Sequence, residues 1–476
     1  MKKKYFSWFS TIVLTLMSSF LLHAESCLIC SGVPLAPADL SELTGRVVVP
    51  GDVDYNAARL SWNTYFSRYP LAVVYVQNKQ DILNALNFCC KNRTAFRIRS
   101  GGHGLEGWSS LDGGIMIDLS DMNAIRVEKN LAYVQPGVKQ LQAVTALGAL
   151  GLAIPTGLEQ TPGIAGVTLG GGIGLSIREY GLACDHLVEV EVILASGKIV
   201  RASKHNHEKL FYACQGGGGG NFGVVTEFVY KVYPRGDVTL FKIEFPYSSI
   251  VQMIDTWQRW APFQTKRLNS FMELFASGNP DINGIYSGPQ SELMPLLAPI
   301  LAIPGSSIVN VQTLPYVDSW LYFAADVSPP ANDKFSSTFV YEFLPLDAIN
   351  EIKNALDNPV NSRANFWFLA MGGVMKKIPK NATPFWNRDA LFYFEWDQSW
   401  ADANPQEAGP AFTWVENIRT ALNPYIKGSY VNVPDMDMKN WGHQYYGKNF
   451  RKLKKIKKHY DPNNFFTYEI QAIPLK

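Results

Sequence analysis

The sequence predicts an α+β protein whose 476 residues divide into two principal domains. Three observations carry that expectation. Between about residues 70 and 235, short β-branched runs alternate with helix-period stretches, and glycines stand where strands end. Past residue 235 the glycine clusters stop, and aromatic β-like runs joined by proline-rich connections take their place. The composition, 47% hydrophobic and 18% charged, is that of a globular chain long enough for more than one core.

At the N-terminus, "MKKK" and the apolar, serine-dotted run up to Ala24 read as a secretory signal peptide over residues 1–24. The run is too short for stable membrane insertion, so the chain is expected to be secreted or periplasmic. Export changes how the six cysteines are read. Cys27 and Cys30 follow the cleavage region, while Cys89 and Cys90 end the helical pattern "DILNALNFCCKN". One of each pair is expected to form a disulfide that pins the N-terminal arm, with the pairing left open. "CLIC" lacks a thioredoxin-like context, and a metal would need further ligands, so no metal site is expected.

The first domain, residues 25–235, opens with the strand patterns "LAVVYVQ", "AFRIRS" and "GGIMIDLS" around that helix. "LAYVQPG" and "KQLQAVTALGALG" repeat the strand-then-helix theme, and "VEVEVILASGKIVRA" reads as a hairpin on Ser-Gly. The second domain, 236–428, carries "SIVNVQTLPYV", "STFVYEFLP", "ANFWFLAMGG" and "ALFYFEWDQSW", which suit an antiparallel sheet with flanking helices. Residues 429–476 form a polar-aromatic segment expected to return to the first domain.

Net charge is +2, so nothing suggests nucleic acid as a partner. The run "RKLKKIKKHY" (451–460) has Leu453 and Ile456 at helical spacing and reads as a solvated helix anchored by that face.

Four glycine clusters crowd the first domain: "RSGGHG" (99–104), "VQPGVKQLQAV" (134–144), "TPGIAGVTLGGGIGLSIREYGLACDHL" (161–187) and "QGGGGGNFGVV" (215–225). Such turns let successive backbone N–H groups converge on phosphate oxygens with no Cβ in the way. None matches a Walker or Rossmann pattern. Together they suggest one large phosphorylated cofactor lying extended across the domain.

In their order and spacing, these motifs and the terminal "YYGKNFRKLKKIKKHYDPNNFF…QAIP" resemble the berberine-bridge-enzyme-like flavin oxidases of the vanillyl-alcohol-oxidase superfamily. The resemblance runs from about residue 50 to the end and implies a PCMH-type FAD-binding fold beside a substrate domain. It implies that His103 is joined covalently to the FAD 8α-methyl group. Ser100, Gly101, Gly102 and Gly104 then contact the pyrophosphate. The other implied cofactor positions are Arg99, the Gln135–Pro136 turn, Gly166, Gly170, Gly171, Gly172, Gly174, Asn221, Gly223, Val225, Tyr446 and Asn449. Some relatives carry a second, cysteinyl bond from a Cys-Pro pair; here that place is Thr161-Pro162, so a single covalent bond is expected. Cys184 reads as a packed core thiol.

The chemistry such a fold supports is hydride transfer to FAD with a protein base taking the proton. Alternation places Tyr393, Glu395 and Asp397 on one strand face, which makes Glu395 a candidate base. Tyr430, opening "YVNVPDMD", is the other candidate, although the partner tyrosine of the family pattern is Val433 here. An alcohol, a sugar or a C–N compound is the expected substrate class, with O2 as the expected acceptor. A dehydrogenase using another acceptor and a degenerate flavin-holding interaction protein are the alternatives.

Overall fold

A computed structural model describes residues 39–324, 329–468 and 470–476. The signal-peptide reading and the Cys27 and Cys30 positions lie outside the described residues. Among the described residues, no helix is long and apolar enough to cross a membrane.

The first sheet has four strands, β1 (Arg46–Val48), β2 (Ala72–Tyr75), β3 (Phe96–Arg99) and β4 (Ile115–Asp118), in the order β1-β2-β4-β3. The last three are mutually parallel, and β1 is antiparallel. Parallel strands need a crossover, and the helix Lys79–Asn92 supplies it between β2 and β3. Its start is set by Asn78, whose side chain accepts from the N–H groups of Gln80 and Asp81. Its apolar stripe of Ile82, Ala85, Leu86, Phe88 and Cys89 packs with Val74, Ile115 and Ile117 in one core.

The second sheet is antiparallel. It is built from β5 (Ile125–Glu128), β6 (Leu131–Val134), β8 (Leu187–Ile193), β9 (Ile199–Ser203) and β10 (Val224–Lys231) in the order β5-β6-β10-β8-β9. The expected Ser-Gly hairpin is the β8–β9 pair. A small ribbon joins β7 (Leu152–Ala153) to β11 (Tyr233–Pro234).

The third sheet takes seven strands: β12 (Val238–Glu244), β13 (Leu268–Phe275), β14 (Asp281–Tyr286), β15 (Ser307–Leu314), β16 (Asn332–Val340), β17 (Ala364–Ala370) and β18 (Phe392–Trp400). Their order is β15-β12-β14-β13-β17-β18-β16, every neighbour antiparallel. Period-two alternation divides its faces. Phe366, Phe368, Phe392, Phe394 and Trp396 enter the largest core, where residues of the helices Ile250–Trp260, Leu346–Asp357 and Ala408–Leu422 meet them. Truncating a buried tryptophan such as Trp396 would cost about 3–5 kcal/mol. The opposite face, with Tyr393, Glu395 and Asp397, looks into a cleft.

The C-terminal segment packs on the second sheet through Tyr445, Tyr446, Leu453 and Ile456. The basic helix is anchored by Leu453 and Ile456 as expected, but its charges are not all on the solvated side: Lys457 is completely buried. Its ammonium donates to Asn221 O at 2.8 Å and to Asp461 Oδ2 at 2.6 Å, and also to Phe466 O. Asn221 Oδ1 in turn accepts from Ile473 N at 2.9 Å, which fastens the chain end beside the fourth glycine cluster.

Candidate active site

Between the sheets runs a cleft of about 1520 Å³. One wall is glycine-rich: the 100–104 turn, Gly163 and Gly166, Gly218–Gly220, Gly223 and Val225. The other wall is the polar face of the seven-stranded sheet.

The opening turn is possible only with glycine. A Cβ on Gly101 would lie 2.0 Å from Gly163 N, so the first and third glycine clusters touch backbone to backbone. Gly102 has φ +72°, the left-handed region. His103 Nε2 pairs with Thr161 Oγ1 at 2.7 Å, and its ring stacks on Trp62 at a centroid distance of 5.7 Å. Burial, helped by the Lys139 charge, lowers the imidazole to a pKa of about 4, so the ring is neutral at physiological pH.

Arg99 stands behind this turn, not on the cleft wall. Its guanidinium is paired with Asp118 and donates to Ala58 O at 2.6 Å and Leu60 O at 3.1 Å. It thereby holds the loop that carries Trp62, whose own N–H donates to Gly102 O at 2.9 Å. Ser100 Oγ donates to Pro136 O at 2.6 Å, so the Gln135–Pro136 turn also acts through its neighbour.

The structure brings Ser100, Gly101, Gly102, His103, Gly104, Gly166, Gly223, Val225, Tyr393, Glu395 and Tyr430 onto the cleft wall. Gly170, Gly171, Gly172, Gly174, Asn221, Tyr446 and Asn449 are packed behind it. Asn449 Nδ2 serves the carbonyls of Lys380 and Thr383, and Tyr446 OH donates to Gly217 O at 3.0 Å.

At the sheet wall, Tyr393 OH donates to Glu395 Oε2. Burial raises the Glu395 carboxyl to about 7, with the tyrosine bond pulling the other way. Asp397 accepts from Asn365 Nδ2 at 3.0 Å. Burial pushes Asp397 well above the carboxylate range, and the nearby Asp333 carboxyl adds to the rise. Tyr430 OH accepts from the N–H groups of Gly172 (3.0 Å) and Ile173 (3.2 Å) and from Asn432 Nδ2 (2.8 Å). Burial nonetheless holds its pKa up, at about 12.

Sequence reasoning missed several wall residues. Trp108 Nε1 and Ser109 Oγ are buried without hydrogen-bond partners, and both residues line the cleft near His103. Both follow closely on "RSGGHG", the signal that could have found them. Glu159, Glu273, Asp281 and Asp333 also line it, from loops and strands whose facing direction only the folded sheet defines.

A long groove walled by close-packed glycines therefore faces a polar sheet that carries ionisable carboxyl groups. Comparison with known proteins identifies the class. Residues 70–203 match the family model described as FAD binding domain, and residues 429–474 match that described as berberine and berberine like. An uncharacterised FAD-linked oxidoreductase of Bacillus subtilis, YgaK, is 39% identical over 445 residues, spanning 92% of this chain and 98% of that one. Berberine bridge enzyme-like 28 of Arabidopsis thaliana is 28% identical over 453 residues, 85% of each chain. The solved structure of Physcomitrella patens BBE-like 1 superposes with a TM-score of 0.86 at 27% identity, covering 92% of this chain and 98% of that one. The chain belongs to the FAD-linked oxidoreductases of the berberine-bridge type and is an enzyme that uses FAD.

The residues fit that cofactor. A Cβ on Gly166 would meet nothing within 4 Å, and one on Gly219 only a Leu169 methyl at 3.9 Å, so both backbones open onto the groove. The unpartnered Trp108 and Ser109 groups are donors, as phosphate oxygens require.

Proposed function

We propose that the protein is an exported oxidase in which His103 holds FAD covalently and Glu395 is the base that takes the proton from an alcohol, sugar or C–N substrate. FAD, when bound, supplies the two-electron acceptor for the substrate hydride. The observation that carries the assignment of the base is the Glu395 carboxyl: buried, lining the cleft, and brought by burial to about 7, where general bases work best. Tyr393 orients it and stabilises its ionised form through the phenolic hydrogen bond. Tyr430 serves a different end. Burial holds its phenol at about 12, so it is protonated at neutral pH, and its oxygen braces the Gly172–Ile173 backbone against the C-terminal segment.

His103 suits covalent attachment because it is neutral, buried and fixed: Thr161 engages Nε2 and Trp62 stacks on the ring. The Thr161 bond directs the attachment to Nδ1. Thr161 also occupies the place where a second, cysteinyl bond would need a thiol. Acid denaturation tests this reading: yellow colour should pellet with the wild-type polypeptide and remain in the supernatant with His103→Ala. Wild type that releases its flavin sinks the bond. Dioxygen is the acceptor we propose, and peroxide release during turnover in air checks it.

Export rests on the leader pattern up to Ala24 and on the cysteines. Cys89 is fully buried whereas Cys90 reaches the surface partly, so Cys90 is the proposed partner of Cys27 or Cys30. N-terminal sequencing of secreted protein and thiol counting under denaturation test both points.

A further inference from the structure

The cleft continues beyond Glu395 along the sheet, and the register places its carboxyl groups in one row. Glu395 on β18 faces Trp367 on β17, Trp367 faces Glu273 on β13, Glu273 faces Asp281 on β14, and Asp281 faces Glu244 on β12. Three carboxyl groups therefore stand directly opposite one another on three adjacent strands, all lining the cleft. Like charges in that relation destabilise a sheet. Lys242 alone offsets them on these strands, through Asp281 at 2.9 Å.

A second observation points to a ligand. Asn283, 1% exposed and on the cleft wall, spends its amide donors on Asp281 Oδ1 at 2.5 Å and Glu273 Oε2 at 3.2 Å. Its Oδ1 has no hydrogen-bond partner. Nearer Glu395, Asn365 Oδ1 is likewise an unpartnered acceptor. Every unpartnered polar atom named here accepts and none donates, so a complementary ligand must bring donors. Hydroxyl groups supply donors without relieving the excess negative charge; an ammonium group does both.

We propose that the Glu273–Asp281–Glu244 end of the cleft is a subsite for a protonated amine, so that the substrate is a hydroxylated molecule carrying an ammonium group about 10–20 Å, two to four strand spacings, from the carbon presented to Glu395. The inference rests on Glu395 marking the oxidised end, as proposed above. Burial, with Asp281 adding to it, raises Glu273 to about 8. At neutral pH the arriving ammonium displaces a proton, and binding releases it to solvent.

The test compares two probes with the same β-1,4 backbone on the FAD-loaded enzyme under anaerobic conditions: the glucosamine tetramer and cellotetraose. Binding is read from the flavin spectrum at low and high salt. The subsite predicts that the glucosamine tetramer binds about 10- to 100-fold tighter. Salt should shrink that preference, and both Glu273→Gln and Asp281→Asn, checked for flavin content, should lower it. Equal or tighter binding of cellotetraose overturns the proposal, and so does a preference that survives in both variants. The salt response of wild type needs no variant to fold. Preferential binding of the amine without bleaching of the flavin by either probe keeps the subsite and removes the Glu395 oxidation reading. Bleaching by both with no preference does the reverse.

Discussion

Replacing Glu395 with glutamine preserves size and the ability to accept from Tyr393 OH but removes the ionisable carboxyl. A general base contributes on the order of 10²–10⁴ in rate, so Glu395→Gln should slow anaerobic flavin reduction by that factor with flavin content unchanged. The wild-type profile follows from the same group. With the Glu395 carboxyl at about 7, roughly a tenth is ionised at pH 6 and roughly nine tenths at pH 8. The base form gains with rising pH, so the reduction rate should climb about tenfold across that interval and then level off. Stopped-flow bleaching measures it, using whichever alcohol or sugar reduces the flavin fastest in a screen. A flat profile between pH 6 and 8, or a Glu395→Gln rate within about threefold of wild type, would refute the assignment. Stability runs the opposite way. The folded carboxyl lies above its ordinary value, so its stabilising contribution is complete below about 4.5 and is lost as pH rises through about 7.

Three further outcomes follow from the same geometry. Tyr393→Phe removes the hydrogen bond that favours ionised Glu395, so the midpoint of the rate profile should move up from about 7; an unmoved midpoint means the phenol does not tune the base. Gly101→Ala places a Cβ 2.0 Å from Gly163 N and forces the two glycine loops apart, so flavin content of the purified protein should fall sharply. Lys334→Met strips the counter-charge from Glu106 and leaves Asp435 with Arg419 at 3.3 Å; both carboxyl side chains are 1–2% exposed, so the change should cost about 3–5 kcal/mol in urea unfolding, and a loss under 1 kcal/mol shows that the buried Glu106 needs no cation.

The Lys334 network shows how far sequence reasoning reached and where it stopped. Glu106 follows His103 by three residues, Lys334 begins on an aromatic strand, and Asp435 sits in the C-terminal segment. Nothing along the sequence connects the three. Folding buries all three together, with Lys334 Nζ 2.9 Å from Glu106 and 3.0 Å from Asp435, so the histidine loop, the sheet and the chain end share one contact. Lys457 is a second case. Helical spacing identified Leu453 and Ile456 as the anchored face, but nothing in a run of lysines distinguishes the one that meets Asn221, Asp461 and Phe466. Arg99 is a third: the family resemblance implied a cofactor contact, and tertiary packing turned it back onto Asp118 and the Trp62 loop.

Local chemistry, then, was written in the primary structure. Glycines are legible because only a residue without Cβ permits the 101–163 contact, and Glu395 and Tyr393 are legible because alternation on a strand is local. What the tertiary structure alone decided is which face of that strand looks into the cleft, and that Glu273, Asp281 and Glu244 fall in one row with Glu395. Strand register is a long-range quantity, set by pairings between segments far apart in the chain. The ionisation of a carboxyl depends on everything packed around it, and no spacing along the sequence encodes either.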